Sequence, residues 1–322
     1  MGGTENEKWF GDLFAFGIMI KKIIILFAFI LRLGSNTLLS QTTAIDTSGY
    51  RLIRYKIENL NFFIKISPDD PMHYFDRAIL KKSMNDYVGA EQDYTKAIKI
   101  SPTNHKFYYN RANLYSVMLE NEKAMTDYKK AIELYPTYEY AFLNRALVFQ
   151  RLKQYDKAIA DFNKAIELNP TYFNYESRAL CFLEVLDYKK ALSDYSRMIR
   201  ISPSNIDAYR SRAGIKATLL DFEGAIMDID SAIVIAPSDS YLRLTLGFLY
   251  KDSGKFELAI QHFTKVIEMD SKVAHAYNGR GIAKAELKQY NEAIIDFKKA
   301  IELQPNNEKF KENLKGTEAA IK

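Results

Sequence analysis

Residues 155–170 read YDKAIADFNKAIELNP. Ala158, Phe162, Ala165 and Ile166 fall on one face of a helix, and Pro170 ends it, because proline cannot continue a helix and restricts the residue before it. The same phrase stands at residues 87–102, YVGAEQDYTKAIKISP, and returns to the C-terminus. Prolines set the ruler: they occupy 68, 102, 136, 170, 203, 237 and 305, with Ser271 in the place between the last two. Every interval is 34 residues except the 33 between Pro170 and Pro203. A fixed period of this size signals a solenoid of stacked supersecondary units. The residue lost from the short interval precedes Arg178, in the turn between units, where no helical register shifts.

Each unit is expected to hold two helices. In the first copy Tyr74, Ala78 and Ile79 recur at helical spacing, Asn85-Asp86 breaks the pattern, and Ala90, Tyr94, Ala97 and Ile98 line a second helix. Small residues share one place in the first helix (Ala78, Ala112, Ala146, Ala179, Ala213, Gly247, Gly281) and another in the second (Ala90, Ala124, Ala158, Ala191, Ala225, Ala259, Ala293). A side chain no larger than a methyl lets helix backbones approach to ~8 Å. Tyr94, Tyr128, Phe162, Tyr195, Ile229, Phe263 and Phe297 form the bulky layer between them, so the 13% aromatic content is mostly core rather than a base-stacking surface.

A charge code runs through the repeat. Six copies pair an Arg in the first helix with an Asp sixteen residues later: Arg77 and Asp93, Arg111 and Asp127, Arg145 and Asp161, Arg178 and Asp194, Arg212 and Asp228, Arg280 and Asp296. The remaining copy changes both, to Leu246 and His262. Folding the hairpin sets these places opposite one another, which predicts bidentate Arg–carboxylate pairs within a repeat or between neighbours.

The 34-residue period, the small first-helix residue, the Tyr/Phe-x-x-Ala of the turn and second helix, and the closing proline together resemble the tetratricopeptide repeat family. Seven copies (71–104, 105–138, 139–172, 173–205, 206–239, 240–273, 274–307) cover 71–307. The pattern departs at Ser271, at Asn121, and at Met198 and Val266, where Ala is expected and packing should be less regular. The resemblance implies an all-α, right-handed superhelical solenoid of about seven 34-residue helix-turn-helix repeats with a C-terminal capping helix. Residues 308–322 supply that cap, with Phe310, Leu314 and Ile321 on one face. Residues 42–70 read as a linker and an N-terminal capping helix or degenerate repeat, carrying Leu52, Tyr55, Leu60, Phe63 and Ile64.

Residues 1–41 read as an N-terminal extension and signal peptide. Lys21-Lys22 precede the apolar run Ile23–Leu31, and small and polar residues follow, which is the pattern of secretory export. Met19 sits where such a peptide should begin, so it is a candidate true start. This reading places the protein in the bacterial periplasm or outside the cell. The rival reading is a membrane tether, an anchor over residues 9–33 interrupted by Asp12, Lys21 and Lys22.

The net charge of +5 is weak for 322 residues and no basic run exceeds a pair, which argues against nucleic acid. The single Cys181 allows no intramolecular disulfide. His73, His105, His262 and His275 lack partners at metal-ligand spacing, and no nucleophile elbow, phosphate loop or HExxH occurs. The expectation is a non-enzymatic scaffold or adaptor without cofactor or metal. The alternatives are an accessory or regulatory subunit of a cell-envelope enzyme complex, or a membrane-tethered adaptor. In the family it resembles, the first helices line a concave groove that holds a peptide or partner protein. The residues this assigns here are Phe75, Lys106, Tyr109, Asn110, Asn113, Tyr140, Leu143, Asn144, Leu147, Arg151 and Phe173. Asn113 and Asn144 match the two amides with which some relatives clamp a chaperone's C-terminal carboxylate. Phe75, Phe173 and Ser177 occupy the cationic places, which disfavours a chaperone tail.

Overall fold

A computed structural model of the chain describes residues 47–321. The expected signal or anchor segment lies outside these residues, and among them no helix is long and apolar enough to cross a membrane. Sixteen helices follow in order: α1 Thr47–Ile66, α2 Pro71–Ser83, α3 Tyr87–Ile100, α4 His105–Val117, α5 Asn121–Leu134, α6 Glu139–Arg151, α7 Tyr155–Leu168, α8 Tyr172–Glu184, α9 Tyr188–Ile201, α10 Ile206–Thr218, α11 Phe222–Ile235, α12 Ser240–Asp252, α13 Phe256–Met269, α14 Ala274–Glu286, α15 Tyr290–Leu303 and α16 Glu308–Ala320. The chain divides at Asp194–Tyr195 into two compact units. Each unit is a run of antiparallel helix pairs.

Side chains cap the N-termini of several helices. Asp70 accepts from Met72 N at 2.8 Å ahead of Pro71 at N1, and Asn104 accepts from Lys106 N at 3.0 Å. Within each pair one left-handed residue turns the chain: Asn85, Leu119, Lys153, Leu186, Leu220, Gly254 and Lys288, with φ between 58° and 74°. Only Asn85 and Gly254 suit that conformation; the leucines and lysines store strain there. The loop from α7 to α8 is one residue shorter than its counterparts, which places the deletion between repeats.

The core follows the small and large places of the repeat. Ala90, Ala124, Ala158, Ala191, Ala225, Ala259 and Ala293 are all fully buried, and the bulky layer from Tyr94 to Phe297 is at most 2% exposed. Where Phe faces a first-helix glycine, contact is closest. A Cβ on Gly281 would sit 2.8 Å from Phe297 Cε1, and one on Gly247 2.7 Å from Phe263 Cε1. Met198 and Val266 are also fully buried, so the larger side chains are absorbed into the core.

Five of the six arginines join three helices. In all six copies Nε and Nη2 grip both carboxylate oxygens of the Asp on the following helix, as in Arg77–Asp93 (2.8 and 2.6 Å) and Arg178–Asp194 (2.9 and 2.5 Å). Nη1 then reaches back to the preceding repeat: Arg77 to Asn61, Arg111 to Thr95, Arg212 to Ser196 and Arg280 to Thr264, each sixteen residues earlier. Arg178 reaches Asn163, fifteen earlier, because the loop between them is one residue short. For Arg145 the corresponding residue is Lys129, which has no acceptor to offer. Asp93, Asp228 and Asp296 hold a second cation as well: Lys81, Lys216 and Lys284, at 2.8–2.9 Å. Asp194 has Phe182 in that place, and burial pushes its carboxyl above the usual range although Arg178 opposes the shift.

Both ends depart from expectation. In α16 the packed stripe is Phe310, Leu314 and Thr317; Ile321 lies past the helix and is exposed, so it seals nothing. In α1 the half-buried stripe is Ile53, Ile57, Leu60 and Ile64, whereas Leu52, Tyr55 and Phe63 face outward. The helix begins six residues before the second-helix place of the repeat and runs straight through the expected turn.

Candidate peptide-binding surface

Consecutive first helices touch: α4 with α6 and α6 with α8 in one unit, α12 with α14 in the other. Second helices make no comparable contact among the described residues, so first helices form the inner side of each stack. In the first unit this inner side carries α2, α4, α6 and α8.

Four positions assigned from sequence sit differently. Phe75 is buried, packed 5.0 Å from Phe107 and 5.9 Å from Tyr94 between ring centroids; its neighbours are bulky, so it fills the core rather than the surface. Asn110 spends its amide N–H on Lys106 O at 2.8 Å, one turn back in its own helix. Leu143 and Leu147 are half-buried and pack against the core around Ala146, Phe149 and Phe162. Lys106, Tyr140, Arg151 and Phe173 are exposed.

Tyr109, Asn113 and Asn144 come together in a ladder across two repeats. Asn144 Nδ2 donates to Tyr109 Oη at 3.0 Å and to Asn113 Oδ1 at 2.8 Å, and Tyr128 Oη donates to the same Asn113 oxygen at 2.6 Å. Both protons of Asn144 Nδ2 are thereby used. The other end of each amide, an N–H pair on Asn113 beside Tyr109 and a carbonyl oxygen on Asn144, is not taken up by this ladder.

These groups edge an open cleft of about 270 Å³ lined by Lys82, Asn113, Ser116, Val117, Tyr128, Asn144 and Leu147. Burial holds the Lys82 ammonium below its ordinary range. Arg151 is fixed at the margin by donating to Ser116 Oγ at 3.3 Å and to Asn121 Oδ1. Beside the cleft stands an aromatic cluster: Tyr138 meets Tyr109, His105 and Tyr140 edge-on at 5.0, 4.8 and 5.6 Å, and His105 stacks on Tyr135 at 4.6 Å. Burial raises the Tyr138 hydroxyl to about 12, so it stays a neutral donor. Sequence reasoning missed Lys82, Ser116, Tyr135 and Tyr138. Lys82 and Ser116 share one phase of the repeat, the last turn of the first helix, so the period carried a usable signal; Tyr135 and Tyr138 lie in an inter-repeat loop, which carries no helical pattern.

No group of three or more His, Cys, Asp or Glu comes together among the described residues. Cys181 is fully buried and its thiol is pushed up to about 12 by burial, which removes it as a nucleophile.

Comparison with known proteins agrees with this architecture. The tetratricopeptide repeat profile matches residues 105–138, 139–172 and 274–307, and a second profile of that name matches 241–273. The C-terminal part of a TPR repeat-containing protein from Cytophaga hutchinsonii superposes with a TM-score of 0.63 at 16% identity, over 74% of this chain and 99% of that one. The structure of Naa15/Naa10 bound to HypK-THB gives 0.59 at 15% identity, over 77% of this chain and 38% of that one. A UDP-N-acetylglucosamine–peptide N-acetylglucosaminyltransferase from Giardia intestinalis is 36% identical over 62 residues, 19% of this chain, and the chain spans only 4% of that protein's length. The repeat period, the paired helices and the profile matches lead to one assignment: the chain is a tetratricopeptide repeat protein.

Proposed function

We propose that the chain is a non-enzymatic scaffold that holds an extended segment of a partner protein on the inner face of α2, α4 and α6. One observation carries the reading. The ladder through Tyr109, Asn144, Asn113 and Tyr128 leaves a donor on Asn113 and an acceptor on Asn144 at a cleft mouth. A donor and an acceptor side by side complement the alternating C=O and N–H of a peptide backbone. Lys82 and Arg151 bias the cleft toward an acidic side chain, and Tyr140 and Phe173 supply exposed aromatic anchors. Placement outside the cytoplasm, by the signal-like residues 19–41 or by an anchor over residues 9–33, is part of the same proposal.

Affinity capture with mass spectrometry tests the scaffold reading. The wild-type chain should retain a partner that Tyr109→Ala/Asn144→Ala loses while keeping its helical circular dichroism. Retention of every partner by the folded double variant would move the site elsewhere. Co-purification of an enzyme whose turnover changes on binding would favour an accessory subunit instead.

A further inference from the structure

We propose that the outer face of α1 docks on an anionic lipid surface. This rests on a different part of the molecule from the peptide cleft and stands independently of it.

The repeat itself supplies the comparison. Phe62 occupies the place that holds Lys96, Lys130, Lys164, Arg197, Lys265 and Lys299 in six repeats and Ser231 in the other. Leu52 stands where all seven repeats carry an acid, an amide or a lysine. On a second helix these places face water; on α1 they are apolar and remain open, Leu52 53%, Tyr55 61% and Phe62 59% exposed. With Ile66, 62% exposed, they recur at spacings of three, seven and four residues and lie on one side of the helix, with Asn59 between Tyr55 and Phe62. This side points away from Ile53, Ile57, Leu60 and Ile64, which pack inward.

The alanine that permits close approach in all seven repeats is replaced by Lys56, which is exposed. The charge pattern selects the occupant. α1 carries Arg51, Arg54, Lys56 and Lys65 against Glu58 alone, all exposed. Two such helices face to face would set cation against cation, whereas an apolar, Tyr- and Phe-bearing stripe flanked by Lys and Arg suits the headgroup boundary of an anionic bilayer.

A local probe separates this surface from the apolar run at residues 23–31, which could itself bring the chain to a bilayer. Trp9 is the sole tryptophan, so Trp9→Phe combined with Phe62→Trp places one indole on the stripe. With equimolar phosphatidylglycerol/phosphatidylcholine vesicles its emission should shift to the blue and be quenched by brominated acyl chains; with phosphatidylcholine alone it should stay water-like. Tyr55→Gln/Phe62→Gln, which removes apolar surface without adding charge, should weaken anionic vesicle binding about tenfold or more while leaving circular dichroism unchanged. Failure to bind anionic vesicles would overturn the proposal. So would pelleting with vesicles while the indole stays water-like, or blue emission in the free protein, since a second copy or the preceding residues would then cover the face.

Discussion

Replacing Arg178 with Ala should be among the most damaging single changes in the molecule. The side chain is held by three hydrogen bonds, two to Asp194 and one to Asn163, so its loss uncouples three helices. The Asp194 side chain is only 2% exposed and no lysine stands by it, because Phe182 fills that place. Leaving a buried carboxylate uncompensated costs ~3–5 kcal/mol. In Arg280→Ala, by contrast, Asp296 keeps Lys284 at 2.8 Å, so the loss should approach ~1.5–3 kcal/mol, the worth of hydrogen bonds to a charged group. Desolvation already outweighs pairing at Asp194, as its raised carboxyl shows, so Arg178→Leu with Asp194→Leu should recover most of the loss. The repeat with Leu246 and His262 is the natural precedent. Urea unfolding followed by circular dichroism at 222 nm gives all three values. Equal losses for Arg178→Ala and Arg280→Ala, or a loss below ~1 kcal/mol for Arg178→Ala, would refute the staple.

Three further outcomes follow from the same geometry. Gly281→Ala should lower the urea midpoint, since the new methyl would stand 2.8 Å from the Phe297 ring and must displace it, at ~1–3 kcal/mol. Leu220→Gly should raise it by up to ~1 kcal/mol, because Leu220 is 59% exposed at φ 63° and loses strain without losing packing. Acidification should destabilise the fold: burial depresses His105, His262 and His275, so below pH ~6.5 the unfolded chain binds more protons. Their contribution is present above that pH and is lost as the pH falls through the folded values. Urea midpoints at pH 7.5 and 5.5 should show the drop, and His262→Gln should shrink it.

Much of the fold is legible in the amino-acid sequence, for a physical reason. A repeated unit meets the same neighbours every time, so a requirement of packing is written up to seven times, and the alanines and the Arg–Asp spacing stand out by recurrence. The third arm of five of the six arginines is hidden because its acceptor lies in the preceding repeat and varies among Asn61, Thr95, Asn163, Ser196 and Thr264. Features that occur once carry no such signal. Helix position alone puts Phe75 on the surface, yet Phe107 from the next repeat covers it. Tyr138 acts through ring contacts from a loop, where helical periodicity says nothing. Leu52 and Tyr55 recur as a core stripe would, and only their exposure shows that α1 buries its other face.

The central claim is that the inner face around Asn113 and Asn144 recognises a peptide backbone. Binding of the full chain to an array of random-sequence octapeptides, each also present with its central amide N-methylated, tests it most directly. The account predicts a bound subset that is lost on N-methylation and on Asn113→Ala/Asn144→Ala, and kept by Lys129→Ala, whose side chain is 73% exposed on a second helix. A subset that survives both N-methylation and the double asparagine variant would contradict it.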